Sequence, residues 1–261
     1  MRATEYIDHL TAHGRYHFTT ADAGQELSGS APAVRAALRR LREKGAVAVP
    51  YRGFYVIVPP EYRILGCLPP DQFVPQLMGH LQEDYFVGLL SAAQYHGAAH
   101  HRPQQFQVVT AVNRPELRCG RIRVVFIARR NVRNVPVVSF NTARGVVRVS
   151  SPEATALDLV GYVRHCGGLD NVATVLSELA EVLDSEVLAR VAAKTSSIPW
   201  AQRLGYLLDL IGAGEKTGSL AKWIEESAVQ VTPLSPSAPM RGAPRDPRWQ
   251  VAVNVTVEPD L

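Results

Sequence analysis

Apolar positions recur at helical spacing from the first residues of the chain, then change to strand-like runs near residue 46. Glu5 to His13 carries Tyr6, Ile7 and Leu10 on one face of a predicted first helix. Thr19 or Thr20 is placed to cap a short helix running to Leu27, and Ser28-Gly29-Ser30 supplies turn chemistry, with Ser30 able to cap the next helix. In that next helix Pro32 occupies the first turn, where its missing N–H costs nothing, and Val34, Ala37, Leu38 and Leu41 form one apolar face. The other side carries Arg35, Arg39, Arg40 and Arg42, with Lys44 before the terminating Gly45. Ala46 to Pro50 and Phe54 to Val58 then read as two β-strands joined by Tyr51-Arg52-Gly53.

A helix, a tight turn, a basic helix and a hairpin resemble a winged helix-turn-helix, a fold suited to duplex DNA. A helix fits the major groove, arginines pair with phosphate or bidentately with guanine, and the hairpin lies along the backbone. The DNA-contacting candidates are Thr20, Ser30, Arg35, Arg39, Arg40, Arg42, Lys44 and Arg52. Thr20 and Ser30 stand at helix starts, where a hydroxyl reaches a phosphate. This unit is expected over residues 1–62, ending at the Pro59-Pro60 break, with a second domain over residues 63–261.

The second domain opens with a helix around Phe73 to Leu81, with Asp71 as its expected cap. Asp84 to Gly97 follows as a largely buried helix with Gly97 as its stop. Four valine-rich strands are expected at Phe106 to Ala111, Ile122 to Ala128, Val135 to Phe140 and Val146 to Val149. A well-formed start at Ser151-Pro152-Glu153 introduces the next helix, and four more are expected at about 169–183, 185–194, 199–211 and 220–228. The whole is α+β: a winged helix, then a small sheet packed with a helical bundle. Residues 232–248 form a proline-rich surface segment leading to a last alternating stretch at Trp249 to Val257.

Three segments in this order resemble the AbiEi antitoxin family of bacterial type IV toxin–antitoxin systems. They are YFVGLLSAAQYHG at 85–97, VSSPEATALDLV at 149–160 and QRLGYLLD at 202–209, and the resemblance spans roughly residues 5–215. It implies a DNA-binding antitoxin that represses its own operon through the winged helix, at an operator expected to contain inverted repeats. It also implies a co-encoded toxin of the nucleotidyltransferase kind, neutralised without a stable complex in the family's best-known members.

Charge sharpens this reading. The net charge is +4 over 261 residues, but residues 101–148 hold ten arginines against the single acid Glu116, a balance of +9. Residues 149–232 hold six basic and eleven acidic side chains, a balance of −5. Arg121, Arg123, Arg129, Arg130 and Arg133 are candidates for a secondary basic surface. Three readings of that stretch are open: an extended DNA footprint, a toxin or RNA contact, or an arginine-rich exterior.

The chemistry expected of an enzyme is missing. His96, His100 and His101 cluster without paired cysteine or carboxylate ligands, and Asp158 and Asp209 sit on helices read as amphipathic, with no partner motif. No phosphate-cradling glycine loop or nucleophile elbow occurs. No cofactor, no metal and no catalysis are therefore expected. Cys67, Cys119 and Cys166 are far apart and fit a reducing compartment. The N-terminus lacks an apolar signal core and no apolar run is long enough to span a bilayer, so cytoplasm is expected and no membrane partner. The competing functions are a one-component transcriptional regulator with a ligand-sensing second domain, which would need a pocket near His96, and an RNA- or protein-interaction module.

Overall fold

The computed structural model describes residues 1–98, 104–195, 197–228 and 230–260. The chain begins with helix α1 (Ala3–Ala12), a short strand β1 (His17–Thr19), helix α2 (Thr20–Glu26) and helix α3 (Ala31–Glu43). Strands β2 (Val47–Tyr51) and β3 (Phe54–Ile57) complete the winged helix-turn-helix. Helix α4 (Val74–His80), strand β4 (Tyr85–Val87) and helix α5 (Leu89–Tyr95) come next. Strands β5 (Phe106–Thr110), β6 (Leu117–Cys119), β7 (Ile122–Ala128), β8 (Val137–Thr142) and β9 (Gly145–Ser150) follow. The helices α6 (Pro152–Gly161), α7 (Leu169–Leu179), α8 (Ser185–Thr195), α9 (Ile198–Leu210) and α10 (Gly218–Ser227) precede three two-residue strands, β10 (Thr232–Pro233), β11 (Arg245–Asp246) and β12 (Val251–Ala252). The class is α+β, as the sequence patterns indicate.

The chain divides into two compact units. The first holds residues 1–85, 104–129 and 139–148, and the second holds the rest, so strands β4, β8 and β9 are each divided between them. In the first unit, α1, α2 and α3 close over Tyr6, Leu10, Phe18, Leu38 and Leu41, with Val47 and Ile57 supplied by the hairpin. The hairpin's other face, at Phe54, Val56 and Val58, shares a second core with α4 and with Val108, Leu117, Val124 and Phe126 of β5 to β7. Strands β5 and β7 run parallel, from Phe106↔Val124 to Thr110↔Ala128, and β6 joins β7 antiparallel.

A single arginine pins the β8–β9 turn inside this unit. The Arg144 guanidinium lies 3.3 Å over the Tyr16 ring, donates from Nε to Gln72 at 2.8 Å, and has Glu61 at 3.7 Å. In the second unit, β9 pairs parallel with β4 at Val87↔Val149, and α6 is buried on every side from Glu153 to Val160. Ser151 caps α6 by accepting from the Ala154 amide at 3.3 Å, and Pro152 takes the first helical position.

Several expectations need correction. The stretch from Asp84 is not one helix: Tyr85-Phe86-Val87 forms a fully buried strand, Gly88 is extended, and the helix begins at Leu89 with a φ of 55°. An apolar run of this length satisfies both periodicities, and burial in the sheet decides for the strand. Helix α4 is preceded by a 3₁₀ turn at 70–72 and starts from Phe73, so Asp71 does not cap it. Strands β1 and β6, three residues each, depart from the expected elements. The stretch at 249–257 contributes only Val251–Ala252, paired to β10 and β11 in a small sheet of its own. No helix among the described residues is long and apolar enough to cross a membrane.

Candidate nucleic-acid interface

Helix α3 is positioned by its buried face. Val34, Leu38 and Leu41 pack into the three-helix core, which forces the arginines outward. Its start at Ser30 is extended, Pro32 stands in the first turn, and the Ser30 side chain makes no capping bond, so the exposed hydroxyl is available at the helix N-terminus. With about 3.6 residues per turn, the spacing of Arg35, Arg39 and Arg42 places them on one stripe. All three are exposed, and Arg39 keeps a loose pair with Glu43 at 3.5 Å. Arg40 and Lys44 lie on the other flank, where with Met1, Arg2 and Glu5 they line a cleft of about 520 Å³ beside α1. The five cations are thus two groups on one helix.

The neighbouring helix is set by a capping box. Thr19 accepts from the Asp22 amide at 3.1 Å, and the Asp22 carboxylate accepts from the Thr19 amide at 2.8 Å. Burial works against the Asp22 carboxylate, but the Thr19 bonds and Arg15 at 2.7 Å outweigh it and hold the group below the ordinary range. Thr20, one residue on, is exposed and donates its amide to the Gly53 carbonyl at 2.9 Å, with its hydroxyl at 3.4 Å from the same oxygen. The α2 start and the wing turn are therefore tied together. The wing loop is two residues rather than three, because Tyr51 pairs with Phe54; Gly53 takes the positive φ of 79° and Arg52 stands exposed at the tip.

The arginines of the 101–148 stretch have different surroundings. Arg123 and Arg118 both grip Glu116, at 2.7 and 2.8 Å, and pull its carboxyl down to about 2. Arg114 is paired with Glu83, and Arg144 is consumed in the contacts with Tyr16, Gln72 and Glu61. Arg129, expected on the surface, is only 6% exposed and turns into the protein at the end of β7, where its amide donates to Thr110 at 2.9 Å. Arg121 is exposed at the β6–β7 turn in the first unit, while Arg130 and Arg133, also exposed, belong to the second. Arg102 lies outside the described residues.

Groups that look chemical in the sequence have structural work. His96 donates from Nε2 to the Ser150 carbonyl at 2.6 Å, tying the end of α5 to the end of β9. His100 and His101 lie outside the described residues, and among those described no three His, Cys, Asp or Glu side chains are grouped to hold a metal. Asp158 sits on a helix buried all round rather than an amphipathic one, and is itself fully buried. Asp209 accepts from Trp249 Nε1 at 2.7 Å and from Arg248 at 2.9 Å.

Sequence reasoning misses what the 202–209 segment does. Gln202 donates to the Gln230 and Gln250 carbonyls and accepts from Thr232 at 2.6 Å. Arg203 donates to the Pro233 carbonyl at 2.8 Å, and Gly205 leaves the room that the buried Trp249 ring fills. One helix face thus holds β10 and β12. A glycine in the interior of a largely buried helix is the signal that points there.

The sequence model of the family described as AbiEi antitoxin C-terminal domain matches residues 86–210, from the second residue of β4 to the end of α9. Among solved structures, the Rv2827c protein from Mycobacterium tuberculosis superposes with a TM-score of 0.67 over 95% of this chain and 90% of its own. The two are 18% identical, so the likeness is one of fold. No curated protein sequence matches the chain. The matched stretch contains all three segments by which the sequence resembles the family, save Tyr85 at its edge, so the likeness to the AbiEi antitoxin C-terminal domain is shown over residues 86–210.

Proposed function

We propose that this chain is the DNA-binding antitoxin of a type IV toxin–antitoxin system, acting in the cytoplasm. It represses its own operon through the winged helix and counteracts a co-encoded nucleotidyltransferase-like toxin through the residues beyond it. The observation that carries the DNA half is the exposed stripe of Arg35, Arg39 and Arg42 on α3, where the one carboxylate paired with it among the described residues is Glu43, at 3.5 Å from Arg39. A helix about 10–12 Å across fits a major groove about 12 Å wide. In that groove the stripe meets base edges and phosphates, while the Ser30 hydroxyl and Thr20 face the backbone at helix starts and Arg52 reaches it from the wing. Arg40 and Lys44, on the flank beside α1, meet phosphate. The antitoxin half rests on the likeness of residues 86–210 to the AbiEi antitoxin C-terminal domain.

The test is fluorescence anisotropy on the chain's own upstream region and on a scrambled duplex, over a range of salt. A preference of about a thousandfold or more is expected for the upstream region, with a linear log–log salt dependence. Arg39→Ala costs on the order of 1–3 kcal/mol if Arg39 reads a base, or lowers the salt slope by about 1 if it touches phosphate. Equal, weak binding to both duplexes refutes the operator reading. For the second half, the triple variant Arg35→Glu, Arg39→Glu, Arg42→Glu is expected to lose repression and still rescue cells expressing the neighbouring toxin gene. Absence of a nucleotidyltransferase gene beside this one, or failure of the unaltered chain to rescue, refutes it.

A further inference from the structure

A second, unrelated feature lies wholly within the second unit. The end of α6, the 3₁₀ turn at 163–165, the start of α7 and the segment 234–237 surround a cleft of about 330 Å³, with Arg203 of α9 in its wall. Arg203 is 8% exposed, and its Nε–H is given to the Pro233 carbonyl. Among the described residues no carboxylate pairs with it and none lines the cleft. The four N–H groups beyond the one used have no protein acceptor among the described residues, and neither terminal nitrogen is fully buried, so an anion in the cleft can reach them. Burial also pulls its pKa below the ordinary arginine value.

The surroundings favour an anion. Exposed Arg164 and His165 stand at the mouth, and no acid opposes them among the lining residues. Ser235 and Ser237, with hydroxyls 3.0 Å apart, form the opposite rim. That rim is held in place by Asn254, which accepts from the Ser235 amide at 2.9 Å and donates to the Ser235 and Ala238 carbonyls at 2.8 and 2.9 Å. Val160, Tyr162 and Leu169 make the remaining wall apolar. The volume is at the small end of metabolite sites, which run from about 300 to 1,000 Å³.

We propose that this cleft binds a small organic anion, a carboxylate or phosphate monoester with an apolar body, and that Arg203 supplies the counter-charge. The acidic group pairs with the guanidinium and the serine rim, and the body lies against Tyr162 and Leu169. The site is independent of the DNA-binding reading and stands or falls separately from it.

Calorimetric titration of the full chain with benzoate and with phenyl phosphate tests this, using benzyl alcohol and inorganic phosphate as controls. At least one of the two organic anions is expected to bind saturably with one site, at least tenfold more tightly than benzyl alcohol and than inorganic phosphate. The relative strength of benzoate and phenyl phosphate identifies which acid the cleft prefers. Arg203→Met is expected to lose at least tenfold in affinity. Because that change also removes the Pro233 bond, Ser237→Trp, made at the exposed rim, carries the test where Arg203→Met fails to fold. It fills the mouth, so binding is lost with the thermal melt unchanged. Equal affinity for benzyl alcohol overturns the charge pairing, equal affinity for inorganic phosphate overturns the apolar body, and undiminished binding in Ser237→Trp overturns the location.

Discussion

Gly205 sits in the interior of α9, where glycine normally weakens a helix, so replacing it with alanine isolates a packing constraint. The exchange by itself favours the helix by about 1 kcal/mol. A Cβ built at Gly205, however, falls 2.2 Å from two atoms of the Trp249 ring and 2.4 Å from a third. The ring must retreat by more than about 1 Å to reach ordinary contact, and in a close-packed core such overpacking costs about 1–3 kcal/mol and sometimes more. Trp249 is fully buried and its Nε1–H is committed to Asp209 at 2.7 Å, so retreat also strains a hydrogen bond worth about 1 kcal/mol. Subtracting the propensity gain leaves a net loss of roughly 2 kcal/mol, read as a lower urea midpoint at constant slope. Gly79→Ala is the control: in α4 its Cβ would meet nothing within 4 Å, and a gain of about 0.4–1 kcal/mol is expected. If Gly205→Ala stabilises the protein as Gly79→Ala does, the account of α9 holding Trp249 is wrong.

Three further outcomes follow from named contacts. Asp209→Ala leaves the buried Trp249 N–H without its acceptor, so a loss of about 1–3 kcal/mol is expected by chemical denaturation; an unchanged midpoint would show that the bond contributes nothing net. Arg144→Ala removes a stacked guanidinium from Tyr16 and a bond to Gln72, and about 2 kcal/mol of stability should go with them; preservation of the melt would remove Arg144 as the pin of the β8–β9 turn. His17, half-buried and stacked 5.7 Å from Phe54, has its pKa lowered, first by burial and then by Arg15. Its unfolded form takes up a proton below the ordinary value of 6.5 while the folded form resists. Its stabilising contribution is therefore complete above pH 6.5 and is lost as pH falls below it toward the depressed folded value, at no more than about 1.4 kcal/mol per pH unit. His17→Phe should flatten that part of the stability profile, and an identical profile would assign the acid sensitivity elsewhere.

Local chemistry makes much of this protein legible in its sequence alone. The cap at Thr19, the proline in the first turn of α3, the Val34–Leu38–Leu41 face and the Ser151-Pro152 start all act within one or two turns of chain, and each lies where the pattern puts it. The exposure of Arg35, Arg39 and Arg42 follows from the same periodicity. What depends on distant partners is not legible there. Strand β1 exists because His17 to Thr19 meet Val56 to Phe54, and Tyr85 to Val87 become a strand because a sheet is there to receive them. Charge behaves the same way: ten arginines in one stretch read as a surface, yet Arg129 is buried and Arg114 and Arg144 hold contacts far along the chain. The cleft at Arg203 and the clasp on Trp249 are likewise assembled from α9 and segments some 30 or more residues away. Periodicity and capping are properties of neighbours in sequence, so the sequence by itself determined them. Burial, strand pairing and the loss of a charge's partner are properties of neighbours in space, and only the tertiary structure decided those.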